Sequence, residues 1–187
     1  MPLVQAAGQF AELMAGCRFN AADGAALDGE GVVADVLSEF ARVKQQQAKV
    51  IILGNGGSAA IASHVITDLR NVGGLCAVTL HEAAPLTCFT NDFGYEQAFA
   101  KQVSAFAYPD DVLIAISSSG QSANIVNAVA AANAKGLAVL TLSGFKPDNP
   151  LRRLGRWNVW LDSSHYGMVE LAHLFVLHHI TDQLIKK

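Results

Sequence analysis

His64 and Asp68 stand four residues apart in a stretch with helical patterning, so both side chains project from one side of a helix. An imidazole and a carboxylate at that spacing suit one divalent ion. A second concentration of titratable groups closes the chain. Glu170, His173, His178 and His179 fall among Met168, Leu171, Leu174, Phe175, Leu177 and Ile180, a stretch apolar nearly all round. Such a helix is buried on several sides, and ionisable groups there need partners. A third set is the run SSSGQS, Ser117 to Ser122, which precedes another helical pattern. A helix cap uses one hydroxyl, and this run has four. Serine hydroxyls and free N–H groups at a helix start cradle a monophosphate without any lysine, each N-terminal contribution being worth about 0.3–1 kcal/mol. The fourth set, GNGGSAAIASH from 54 to 64, follows the apolar run VIIL and reads as a strand, a Gly/Ser turn and a helix start. Gly54, Gly56 and Ala59 also satisfy G-x-G-x-x-A, with Glu82 near the place of a ribose-binding acid, so a dinucleotide-binding oxidoreductase is one reading of this loop.

The elements that must position these groups are read from periodicity. Residues 3–16 and 32–47 predict helices, the second carrying Val33, Val36, Leu37, Phe40 and Val43 at helical spacing. Between them FNAADGAALDGEG reads as a Gly/Asp-rich break. Thereafter short apolar runs begin at 49, 76, 111, 137 and 157, separated by helical stretches over 58–70, 94–106, 122–135 and 167–185. Strands this uniformly apolar, alternating with helices, predict a parallel sheet covered on both faces. The expected fold class is therefore an α/β three-layer sandwich with a five-stranded parallel sheet and N-terminal helices: one domain, with residues 1–47 as a helical extension and 48–187 as the α/β core. An internal echo supports this: Ser58-Ala59-Ala60-Ile61 and Ser122-Ala123-Asn124-Ile125 occupy equivalent strand-to-helix corners. Ligands of open α/β sheets bind where such corners gather, at the carboxyl ends of the strands.

Composition narrows the classes. The 187 residues are 51% apolar and 16% charged with a net charge of −3, which fits a globular chain that hides surface in an oligomer and argues against a nucleic-acid partner. The one basic cluster, Arg152, Arg153 and Arg156, reads as a solvated face. No stretch reaches the roughly 18–20 apolar residues of a membrane span, and no basic residue precedes Arg18, as a signal peptide would require. Cys17, Cys76 and Cys88 lack metal-type spacing, Cys76 reading as a buried thiol at a strand start. A reduced cytoplasmic setting is expected.

Taken together, GNGGSAA, NDFGYE, ISSSGQSANI and VELAHLFVLHH resemble the sugar isomerase (SIS) domain family, in its phosphoheptose isomerase branch, from about residue 30 to the C-terminus. The resemblance implies a flavodoxin-like five-stranded parallel sheet, a homotetramer with sites at subunit interfaces, and conversion of sedoheptulose 7-phosphate to D-glycero-D-manno-heptose 7-phosphate. It implies a phosphate on Ser117, Ser118, Ser119 and Ser122, and a sugar chain on Asn55, Gly56, Gly57 and Ser58 with Asp92 at its side. It also implies a zinc-like divalent ion held by His64, Asp68, Glu170 and His178, with Asp68 as base, His178 as acid and Glu170 near substrate as well. Eight residues of helix separate Glu170 from His178, about 12 Å. Either both side chains lean to a midpoint or neighbouring subunits contribute. His173 is placed to orient Glu170, and His179 to pack.

Several positions depart from the family pattern. Asp68 stands for glutamate, Glu170 for glutamine, Gly167 for aspartate, and Val72 for an arginine to which Arg70 is close. They leave open an isomerase for another sugar phosphate, and a non-catalytic SIS protein that binds a sugar phosphate or a protein partner, as a regulator of the replication initiator does.

Overall fold

The computed structural model describes residues 1–185. Helix α1 (Leu3–Ala15) leads into two short strands, β1 (Arg18–Asn20) and β2 (Ala26–Leu27), and then α2 (Gly29–Gln45). The α/β repeat follows as β3 (Lys49–Leu53), α3 (Gly57–Asn71), β4 (Cys76–Thr79), α4 (Ala83–Phe93), α5 (Tyr95–Phe106), β5 (Val112–Ser117), α6 (Ala123–Ala134) and β6 (Ala138–Ser143). A 3-10 turn (Pro150–Arg153), β7 (Trp157–Trp160) and α7 (Tyr166–Ile185) complete it.

The sheet is mixed and has seven strands, in the order β2-β1-β7-β6-β5-β3-β4, which corrects the expected five-stranded sheet. The five apolar runs read from the sequence pair parallel to one another. The addition is β1 and β2, which form in the Gly/Asp-rich break and pair antiparallel with each other and with β7. At three and two residues they are too short to show alternation. Helix α4 is the other element that periodicity missed. None of its residues is buried, so no apolar stripe marks it, and Pro85 sits in its first turn, where a missing N–H does no harm.

Why the central strands form is plain from their burial: every residue of β3, β5 and β7 is buried. One core face packs Val33, Val36, Phe40, Val65, Leu69 and Val176 from α2, α3 and α7 against Ile52, Ile114 and Leu140. The other packs Phe99, Val103, Ile125 and Val129 from α5 and α6 against Ile51, Leu113 and Val139. Cys76 is exposed because β4 is an edge strand, contrary to the buried thiol expected there. From β3 the chain steps outward to β4, then returns to the far side of β3 and proceeds through β5, β6 and β7. The reversal falls between β3 and β5, and ligands of such sheets bind at that switch point.

Candidate functional site

The two echoing corners flank the switch point. After β3, Gly56 adopts φ +52°, a left-handed conformation suited to glycine, and α3 starts at the next residue. After β5, Gly120 at φ +64° turns the chain so tightly that a Cβ there would overlap the Asn149 side chain. Between the corners lies a cavity of about 120 Å³ lined by Asn55, Ser58, Ser117, Ser118, Ser119, Ser122, Tyr166 and Glu170. That is room for a phosphate-sized anion and far too little for a dinucleotide.

The serines are not consumed by capping. Ser122 is the N-cap of α6 but makes no side-chain cap bond, its hydroxyl pairing with that of Ser117 at 3.0 Å. Ser119 Oγ accepts from the Gln121 N–H at 3.2 Å. Ser118 Oγ is buried with no partner, although its carbonyl ties the loop to β6 by accepting from the Gly144 N–H at 2.9 Å. A buried hydroxyl without a partner points to a ligand that supplies one. Across the cavity the Glu170 carboxylate packs directly against Gly57, the first residue of α3, where only a glycine leaves space for it.

Further along the same two helices stand His64, Asp68 and His178, each offering one ligand atom, all mutually within 4.8 Å. The His64 and His178 Nε2 atoms are 3.2 Å apart, and His64 Nε2 lies 3.9 Å from Asp68 Oδ2. Donors that share one metal ion at about 2.0–2.2 Å lie roughly 3.3 Å from one another, so this N, N, O set could hold a divalent ion. His178 Nδ1 also lies 3.3 Å from Asp68 Oδ2. The trio is half-exposed, which leaves an opening for further ligands. The trio is drawn entirely from one chain. Glu170 is not part of it: α3 and α7 run side by side in the same direction, with Glu170 against Gly57 and His178 against His64.

Other expectations fall elsewhere. Asp92 does not line the cavity; on exposed α4 it accepts from Asn91 Nδ2 at 3.0 Å and from the Cys88 thiol at 3.6 Å, and its hydrogen bond and charge push the thiol pKa up. Arg70 donates to the Ala77 carbonyl at 2.7 Å and so braces β4. His173 is fully buried in the core with neither ring nitrogen hydrogen-bonded, so it does not orient Glu170. His179 is exposed rather than packed. Arg152 is no solvated face: it stacks on Trp160 and donates to Asn20 Oδ1 at 2.8 Å.

Three site residues escaped the sequence reading. Tyr166 lines the cavity. Tyr95 donates to Asn55 Oδ1 at 2.7 Å, and Asn124 exchanges two amide hydrogen bonds with Asn55, both 2.9 Å. The echo put Asn124 at the right corner, and Tyr95 belongs to the NDFGYE motif, but pairing between distant amides leaves no local pattern. His81 lies nearby, its Nε2 facing the Gly54 N–H at 3.4 Å, with burial lowering its pKa.

A mostly parallel sheet reversing between β3 and β5, with a hydroxyl-lined cavity at the reversal, is the architecture of an α/β domain of the kind that takes its ligand at the switch point. The model for the SIS domain matches residues 30–144, and the chain belongs to that family. Among its relatives, phosphoheptose isomerase of Thiobacillus denitrificans is 34% identical over 176 residues, covering 88% of this chain and 89% of the relative. That of Alkalilimnicola ehrlichii is 37% identical over 158 residues, covering 80% and 81%. The structure of a phosphoheptose isomerase from Francisella tularensis is similar with a TM-score of 0.76 at 28% identity, over 83% of this chain and 85% of that one. That kinship places the chain among the isomerases, and the oxidoreductase reading of the first loop falls away.

Proposed function

We propose that the chain is an aldose–ketose isomerase of a sugar phosphate, with sedoheptulose 7-phosphate as substrate and D-glycero-D-manno-heptose 7-phosphate as product. The observation that carries this reading is the distance between its two polar centres. The cradle at Glu170 and the trio at His178 are eight residues apart on α7, about 12 Å of helix. With C–C bonds of about 1.5 Å, an extended seven-carbon chain spans roughly 8 Å before its phosphate is added. A phosphate on the last carbon therefore reaches the cradle while the carbonyl end lies at the trio.

In this reading Ser117, Ser118, Ser119 and Ser122 hold the phosphate, the unpartnered Ser118 hydroxyl donating to it. Asn55 and Ser58, with the backbone of Gly56 and Gly57, line the sugar chain, and Glu170 accepts from its hydroxyls. Asp92 stands outside the cavity of a single chain and is assigned to substrate only through movement or a neighbouring subunit. His64, Asp68 and His178 hold a divalent ion, zinc by the chemistry of the donor set, which when bound polarises the carbonyl and lowers the cost of the enediolate. Asp68 removes the proton from the carbon beside the carbonyl, and His178 exchanges a proton with the carbonyl oxygen. The resulting enediol takes a proton on the former carbonyl carbon while the hydroxyl on the carbon that was deprotonated gives up its own to His178, which leaves the aldehyde. Acid–base help of this kind is worth about 10²- to 10⁴-fold. Asp68 is one methylene shorter than the family's glutamate, so the base reaches its proton from further back. The assembly is a homotetramer in the cytoplasm, using the exposed apolar faces of α1 and α7.

Conversion of sedoheptulose 7-phosphate in deuterated water tests the reading. The aldose product is expected to carry deuterium at its second carbon, and chelation is expected to abolish both conversion and exchange. A protein that carries metal yet neither converts nor exchanges this sugar is not this isomerase.

A further inference from the structure

The two loops of the cavity are coupled by a closed set of amide hydrogen bonds, and its polarity can be read outward from one atom. The backbone N–H of Ile125, an obligate donor, is shared between the Ser122 carbonyl and Asn124 Oδ1, each at 3.0 Å, so the Asn124 atom facing it is an acceptor. That fixes which end of the Asn124 amide is oxygen. Asn124 Nδ2 must then face Asn55, and it donates to Asn55 Oδ1 at 2.9 Å, while Asn55 Nδ2 returns a bond to Asn124 Oδ1 at 2.9 Å. Tyr95 fills the remaining lone pair of Asn55 Oδ1 from the other side, at 2.7 Å. The oxygen of Asn55 is thereby saturated, as is that of Asn124. Among the described residues, the one side-chain group Asn55 has left for the cavity it lines is its second Nδ2–H.

We infer that Asn124 and Tyr95 are positioning residues that lock the Asn55 amide so that it presents a donor, and never an acceptor, to the bound ligand. The ligand atom met by Asn55 is accordingly a lone-pair-bearing oxygen of a sugar phosphate, a phosphate oxygen or an ungripped hydroxyl oxygen. The lock also transmits position. Asn124 is 3% exposed at the start of α6, so the helix that carries Ser122 sets the angle of a side chain on the first loop. Tyr95 does the same from α5 while remaining about half-exposed. The inference rests on the sugar-phosphate reading of the cavity.

The test is calorimetric titration of inorganic phosphate and of sedoheptulose 7-phosphate into wild type, N124D and Y95F. N124D keeps the size of the side chain and the oxygen that accepts from Ile125, but it sets a carboxylate oxygen against Asn55 Oδ1. The sugar phosphate is expected to bind it about tenfold or more weakly near neutral pH. As the pH is lowered, the introduced carboxyl, pushed up by burial, takes a proton and becomes the missing donor. The ratio of wild-type to N124D affinity is then expected to shrink toward one. Y95F, at an exposed position where folding is not at stake, is expected to weaken binding about two- to tenfold and to raise KM with kcat unchanged. A defect in N124D that is the same at acidic as at neutral pH, or Y95F and N124D binding as wild type does, overturns the lock. Wild type that binds neither probe overturns the sugar-phosphate reading itself, and the lock with it.

Discussion

Ser118 and His173 are both buried with polar atoms that meet no partner, and their consequences are opposite. The Ser118 hydroxyl belongs to a residue that lines the cavity, where the proposed phosphate would complete it, so S118A removes nothing that the unliganded fold uses. Its thermal stability is expected to match or exceed that of wild type, while the KM for a sugar phosphate rises roughly tenfold, since bonds to charged groups are worth about 1.5–3 kcal/mol. Comparing melting temperature with KM in one variant separates the two roles. His173 instead lies in the core, where burial holds its pKa down to about 4, offset in part by the nearby Ser143 carbonyl. In the unfolded chain it titrates near 6.5. Between those values the unfolded state binds a proton that the native state refuses, so stability is complete above about pH 6.5 and is lost as the pH falls toward 4. The loss amounts to a few kcal/mol, and H173L is expected to flatten that part of the stability curve in urea titrations at pH 7 and 5. The chemistry-bearing residues were legible in proportion to how local their pattern is. His64 and Asp68 announce themselves by spacing and the serines by density, and both sets do meet a cavity or a cluster. Glu170 was legible as an ionisable group in an apolar helix, but not as one packed on Gly57, because that contact depends on how two helices lie together.

At the scale of elements, the same distinction separates what periodicity reveals from what it conceals. The KVIIL and VLIAIS runs are buried throughout and needed only their composition to be recognised as central strands. Strand β1 exists because β7 offers it an edge and β2 because β1 does, while α4 lies against α5 with no buried residue of its own; none of them carries its own signature. The serine loop after β5 is held in shape by tertiary contacts of the same kind. Asn149 is buried beside Gly120 and donates to the Gly144 and Lys146 carbonyls at 3.1 and 2.8 Å, while its Oδ1 accepts from the Arg152 N–H at 3.1 Å. G120A is therefore expected to cost at least about 1–2 kcal/mol for the left-handed backbone alone, and more for the collision with Asn149. Chemical denaturation measures the cost. Phosphate affinity in the same variant is expected to fall as well, because the loop cannot turn without displacing Asn149.

Across the whole molecule, exposed apolar surface is concentrated on the α1–α7 side. No residue of α1 is buried, Leu3 and Val4 are 85% exposed, and Leu171 and Phe175 on α7 are more than half exposed. A cavity of about 630 Å³ also lies there, lined by Leu13, Gly167 and Met168 among others, and it holds none of the hydroxyl loops. Its size does not make it the reaction site. Surface of this kind fits contact between copies, which the composition anticipated and a single chain leaves open. F175E is expected to reduce the assembly to smaller species in light scattering coupled to size exclusion. No described helix is long and apolar enough to cross a membrane, so this face is not a span. The reading of the molecule as one site with a cradle and a metal centre at a fixed separation is tested most directly by turnover of metal-loaded protein on ketose phosphates of five, six and seven carbons, each phosphorylated at its last carbon. The account predicts kcat/KM rising with length and highest for sedoheptulose 7-phosphate. Faster turnover of a shorter sugar, or none of any length by protein that holds its metal, would contradict it.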